Sequence, residues 1–163
     1  MTTRIIRSYE DMREIVALDL GVSDWLRIEQ AQVDRFGEAV EDTQWIHCDP
    51  ERARRESPFG GTIVHGMLQL ALLSKLRASI PTVQIRIPSR MGVFYGVDKV
   101  RFVSPVLVGA AVRLRLKIKE ARLAEPSVIH VVYDQTLEIE GKDKPALVAE
   151  TVNRIYVDDS ASS

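Results

Sequence analysis

An α+β fold, with a curved antiparallel sheet wrapped around one long buried helix, is the architecture expected of this 163-residue sequence. Helix signals crowd into the first half of the chain. One stretch there, His65 to Ser79, is apolar around most of its circumference through Met67, Leu68, Leu70, Ala71, Leu72, Leu73 and Leu76. A helix of that kind belongs inside a fold. The second half switches to a period of two, broken by turn-like links, as consecutive antiparallel strands require.

Taken in order, "SYEDMREIVAL" opens with Ser8 and carries an acid three residues on, a helix-start signal. Gly21 marks a turn before "SDWLRI". In "EQAQVDRFGEAV", Val33, Phe36 and Val40 recur at helical spacing. "DPERARRES" reads as a short helix with Pro50 at its first position, where a missing N–H costs nothing. Pro58, Gly60 and Gly61 then break the chain ahead of the apolar helix. "GVDKVRFVSPV" is a strand interrupted at Pro105. In "VRLRLKIKE", Val112, Leu114, Leu116 and Ile118 alternate with Arg113, Arg115, Lys117 and Lys119, giving one buried face and one wet face. "SVIHVVYDQTLEI" and "ALVAETVNRIYV" alternate likewise across the turn "EGKDKP". Residues 1–27 read as an N-terminal helical extension, 28–157 as the domain, and 158–163 as a frayed polar tail. The open edges of such a sheet favour pairing of two copies, so a homodimer is expected.

Composition narrows the function classes. A formal net charge of −1 provides no bulk basic field for nucleic acid or a membrane surface, so the cationic strand face reads as solvated. Cys48 stands alone and cannot form an internal disulfide, which fits a reducing compartment. The N-terminal stretch lacks the apolar core of a signal peptide, and "MLQLALLSKL" is too short to span a bilayer. A cytoplasmic protein is expected.

The chemistry-bearing stretch is "DTQWIHCDPERARRESPFGGTIVHGM", Asp42 to Met67. His47, Cys48, Asp49 and His65 are ligand types, but their spacing matches neither a helical histidine pair nor a paired-cysteine knuckle, so no metal is expected. Nothing marks Cys48 as an activated thiol, and no G-x-S-x-G elbow is present. That leaves an acid–base pair, Asp42 and His47, five residues apart and able to hold one water and exchange protons with it, or, on residue types alone, an Asp and a His that meet by chance. Gly66, at the start of the apolar helix, would offer a free N–H and the positive helix end to a developing oxyanion. On residue types alone Gly60 and Gly61 equally well make a turn, and His65 a cap.

The pattern D-x-x-x-x-H-x-D-P followed by F-G-x-x-I-x-H-G-M resembles the MaoC-like, (R)-specific enoyl-CoA hydratase/dehydratase family of the hotdog fold. Its matching residues are Asp42, His47, Asp49, Pro50, Phe59, Gly60, Ile63, His65, Gly66 and Met67. "YGVDKVRFVSPVLVG" resembles the subgroup related to nodulation protein N, and the similarity spans roughly Ile28 to Val157. The resemblance implies that Asp42 and His47 are the catalytic pair and that Gly66 supplies the oxyanion N–H. Gln44, Phe59, Gly60, His65 and Tyr95 would support the site or touch substrate. It implies reversible addition of water to a trans-2-enoyl thioester, giving the (R)-3-hydroxyacyl thioester. No cofactor is implied beyond the coenzyme A or acyl carrier of the substrate itself. The sequence departs from the family's G-D-x-N-P-x-H in having Glu41, Gln44 and Trp45 at the Gly, Asn and Pro positions, and Phe94 where the subgroup often has Asn. Two other readings stand beside this one. A thioesterase would carry its acid on the long helix, which has none; a non-catalytic acyl-thioester-binding or partner-subunit protein would not need Asp42 and His47.

Overall fold

A computed structural model of the chain describes residues 3–158. The elements run β1 (Arg4–Ile6), α1 (Tyr9–Glu14), β2 (Asp19–Val22), β3 (Leu26–Arg27), α2 (Gln30–Val40), α3 (Trp45–Cys48), α4 (Pro50–Glu56), α5 (Gly66–Ala78), β4 (Val83–Ile85), β5 (Ser89–Phe102), β6 (Ala111–Glu125), β7 (Val128–Ile139) and β8 (Leu147–Val157). The main sheet is antiparallel in the order β2-β6-β7-β8-β5, with β3 also on β6. It curves around α5, the hotdog architecture expected from the sequence.

Alternation along the strands becomes two faces. Leu114, Leu116, Ile118, Ile129, Val131 and Leu137 enter the core from the sheet, and α5 meets them with Leu68, Leu72, Leu73 and Leu76. Each side chain of this size, fully buried, contributes about 1.5–3 kcal/mol. On the other face three of the four cations of the β6 row are paired: Glu138 takes Arg113 at 2.6 Å and Arg115 at 2.8 Å, Glu150 takes Lys119 at 2.8 Å, and Lys117 is exposed. Local charge pairing and exposure to solvent therefore account for that row.

Two expectations need correction. The segment expected as a helical extension, 1–27, is mostly not helical: among its described residues only the six of α1 are. Ser8 caps that helix by accepting the Asp11 N–H at 3.1 Å, but Ala17, at φ 66°, lies in the left-handed region just beyond its end. The chain then turns into β2 and β3, which hydrogen-bond to β6, while Ile6, Met12, Ile15 and Leu20 join the common core. The 27/28 boundary thus falls within the sheet. Of the expected tail, all but Asp158 lies outside the described residues.

The second correction concerns α5. Its all-round apolar character predicts complete burial, yet Met67 is 61% exposed and Ala71, Ser74 and Ala78 share its exposed stripe. The edge strand β5, bonded only to β8, likewise exposes Met91, Val93, Phe94 and Tyr95. Among the described residues no helix is long and apolar enough to cross a membrane.

Candidate active site

The stretch from α2 to α5 folds back on itself so that Asp42, His47 and His65 converge. Asp42 follows the C-terminus of α2 and donates its N–H to the Gly37 carbonyl at 2.9 Å. His47 sits in α3, a single helical turn. His65 immediately precedes α5 and is only 3% exposed. One carboxylate oxygen and one ring nitrogen from each histidine all lie within 4.8 Å of one another.

Hydrogen bonds set the tautomers. His47 Nδ1 lies 2.6 Å from the Ile63 carbonyl, which can only accept, so Nδ1 carries the proton and Nε2 of the neutral ring keeps its lone pair. His65 Nε2 donates to the backbone carbonyl of Asp42 at 2.9 Å. The two imidazoles stack at 3.9 Å between centroids, and Phe36 closes on His65 at 5.2 Å. His65 is thus a prop: it holds the Asp42 main chain and backs the His47 ring.

Gln44 stands beside the acid, its amide donating to Asp42 Oδ1 at 3.1 Å. The amide function expected at this position is therefore present on the longer side chain. Gly66 opens α5, where the first N–H groups have no intrahelical acceptor. A Cβ on Gly66 would meet the half-exposed Phe102 ring at 3.0 Å. A cavity of about 430 Å³ joins Asp42, His47, His65 and Gly66 to apolar walls from Phe36 and Met67.

Three expected site residues lie elsewhere. Phe59 and Gly60 occupy the turn after α4; Gly60, at φ 77°, adopts the left-handed conformation that turn requires. Tyr95 sits at a register irregularity of β5, and contacts Arg154 (3.8 Å from its ring centroid) and His130 (6.1 Å) on the sheet face turned away from α5. None of the three lines the cavity.

Two positioning residues escaped the sequence reading. Gln30 donates to the His47 carbonyl at 2.7 Å and accepts from Thr62 Oγ1 at 2.7 Å, tying α2 to the loop before α5. Gly37, inside α2, has no room for a side chain: a Cβ there would lie 2.8 Å from the Asp42 carbonyl oxygen. A glycine inside a helical pattern was the available signal for the second.

Asp42, His47 and His65 also form a donor set of the kind that divalent ions use. The His65 nitrogen nearest Asp42 already carries a proton for the Asp42 carbonyl, so it offers no lone pair without losing that bond. Burial first, then the charges of Asp34, Asp42 and Glu38, push the Cys48 thiol upward, away from thiolate chemistry.

The family model described as a MaoC like domain matches residues 15–139. The chain belongs to the MaoC-like dehydratase family. It is similar to Nodulation protein N of Rhizobium meliloti (strain 1021), 44% identical over 146 residues that cover 89% of each chain. It is also similar to 3-hydroxyacyl-thioester dehydratase Z of Mycobacterium tuberculosis (strain ATCC 25618 / H37Rv), 39% identical over 152 residues, 91% of this chain and 98% of that one. Among solved structures, the (R)-hydratase from A. caviae involved in PHA biosynthesis superposes with a TM-score of 0.61 at 26% identity, covering 84% of this chain and 98% of that one.

Within this family's motif Glu41 has a physical reading. It caps α2 at φ 58°, a left-handed position that glycine adopts freely and a β-carbon disfavours. Glu41→Gly is expected to raise the melting temperature by about 2–4 °C, the shift that about 1 kcal/mol gives a domain of this size. An unchanged or lowered melting temperature in calorimetry would show that Glu41 makes compensating contacts.

Proposed function

We propose that this protein is an (R)-specific enoyl-thioester hydratase, a hydro-lyase that adds water reversibly across the double bond of trans-2-enoyl thioesters. The observation that carries this reading is the cavity in which the Asp42 carboxylate and His47 face the start of α5. Ionised Asp42 and neutral His47 Nε2 are both acceptors, so together they orient one water by its two protons. Water oxygen bonds to C3 as the C2–C3 π pair moves toward the carbonyl, and the resulting enolate oxygen takes the Gly66 N–H. The proton lost by water to the pair is the one available to return to C2, which closes the balance without a cofactor or metal.

Gln44 supports catalysis over mere binding, since it keeps an amide on the Asp42 carboxylate. The absence of an acid among the residues of α5 weighs against a thioesterase. The exposed apolar residues of the free β5 edge, next to the exposed stripe of α5, favour a homodimer built edge to edge.

The test follows loss of enoyl-thioester absorbance with crotonyl-CoA and longer trans-2-enoyl-CoAs, with chiral analysis of the product and sedimentation of the same sample. An (R)-3-hydroxyacyl product from a sedimenting dimer is expected. Release of free thiol without hydration would instead establish a thioesterase, and binding without turnover a binding protein. A monomer at micromolar concentration would remove the homodimer.

A further inference from the structure

At the opposite end of α5 lies a second cavity, of about 820 Å³. Its walls include Ser74, Arg77, Gln84, Arg86 and the buried Tyr133, and a smaller adjoining cavity shares Arg77 and Tyr133 and adds Asn153. Neither is lined by an aspartate or glutamate. The two ends of α5 are connected along one face: Met67 and Ala71 line the Asp42 cavity, Ser74 and Ala78 line the distal one, and the steps of four, three and four residues keep them in register. All four are exposed in this chain.

Arg77 is the half-buried cation of the larger cavity. Its guanidinium lies 4.3 Å over the Tyr133 ring, and the contact to Asn153 Oδ1 is a long 3.5 Å. Arg113 and Arg115, also half-buried against the sheet, are both tied to Glu138. Arg77 has no carboxylate partner among the described residues. An arginine drawn out of water without a counter-charge is disfavoured, and an anion entering the cavity would relieve that cost.

We infer that the thioester taken by this site carries an anionic group at the far end of its acyl chain, a carboxylate held by Arg77. The substrate class is the half-thioester of a medium-chain dicarboxylic acid. This rests on the proposed placement of the thioester at Gly66. Arg77 lies eleven helical steps beyond Gly66, about 16.5 Å at the α-helical rise of about 1.5 Å per residue. An extended chain advancing about 1.25 Å per carbon spans that distance in roughly 10 to 13 carbons, the reach of the arginine shortening the requirement.

Two measurements on the full-length protein test it. The first is calorimetric binding of two saturated, non-reacting ligands, dodecanoyl-CoA and the mono-CoA thioester of dodecanedioic acid. The wild type is expected to bind the second at least tenfold more tightly. Arg77→Leu should abolish the difference and Arg77→Lys should keep part of it. The second compares kcat/KM for trans-2-dodecenoyl-CoA and its ω-carboxy counterpart, with the circular dichroism and melting curve of Arg77→Leu against the wild type as the check on folding. Equal binding of the two ligands by the wild type, or a preference that survives in Arg77→Leu, overturns the inference. A binding preference lost in Arg77→Leu, in a protein that hydrates neither enoyl-CoA, would sustain the anion site while overturning the hydratase reading.

Discussion

Asp42→Asn is expected to lower kcat/KM for crotonyl-CoA hydration by about 10²–10⁴-fold, the usual contribution of a general acid–base group, without loss of fold. The carboxylate is 40% exposed, and its side-chain partner in hydrogen bonding is Gln44, whose N–H an asparagine oxygen accepts equally well. Its structural effect should therefore stay within the ±0.5 kcal/mol of an ordinary surface change. His47→Ala should cost activity to a similar degree and also some stability, because it removes the 2.6 Å bond to the Ile63 carbonyl and the stacking on His65. Melting curves separate the two effects. The double variant is the sharper comparison: groups that act on one water should be strongly non-additive, so it should be scarcely slower than the worse single variant. Multiplicative losses would mean that Asp42 and His47 serve different steps. An Asp42→Asn enzyme retaining more than a tenth of wild-type activity would remove the acid from the mechanism.

How much of this was legible beforehand depended on the range of each interaction. Asp42, His47 and Gly66 stand in a motif dense in chemically active types, and the structure brings them to one cavity. The long strands announced themselves by alternation, since β6 and β7 each carry many periods. The strands β2 and β3, of four and two residues, are too short for periodicity to register, so residues 1–27 read as helical when part of them belongs to the sheet. Tyr95 falls at a register irregularity between Phe94 and Gly96, and no sequence pattern says to which face such a residue turns. The exposed stripe of α5 was hidden for a different reason. Apolar residues all round a helix say that every side is to be covered, not that this chain alone does the covering. Gln30 was obscure because its work consists of bonds to groups far along the chain, the His47 carbonyl 17 residues away and the Thr62 hydroxyl 32 residues away.

Gly37 makes the same point with a measurable sign. In an ordinary exposed helix, Gly→Ala is stabilising by about 0.5–1 kcal/mol, because the backbone loses less freedom on folding. Here the added Cβ would meet the Asp42 carbonyl oxygen at 2.8 Å, Cys48 Sγ at 3.1 Å and His65 Cε1 at 3.4 Å. The first of these is backbone and has two engagements to lose: its oxygen accepts from His65 Nε2 at 2.9 Å, and the Asp42 N–H reaches back to the Gly37 carbonyl at 2.9 Å. Relief requires moving the main chain of the proposed catalytic acid, and overpacking of this kind typically costs about 1–3 kcal/mol. The clash should outweigh the propensity gain, so Gly37→Ala is expected to lower the melting temperature by about 2–4 °C, as a net loss of about 1 kcal/mol does in a domain of this size. Turnover should suffer more than stability, because a displacement of about 1 Å in a catalytic group can cost on the order of 10²-fold. The decisive reading is the pair of signs. A raised melting temperature with full hydratase activity would show that the α2–Asp42 contact yields freely and that Gly37 has no part in placing the acid. A lowered one, with kcat reduced more than KM is raised, would identify a glycine buried in a helix as the residue that sets where Asp42 stands.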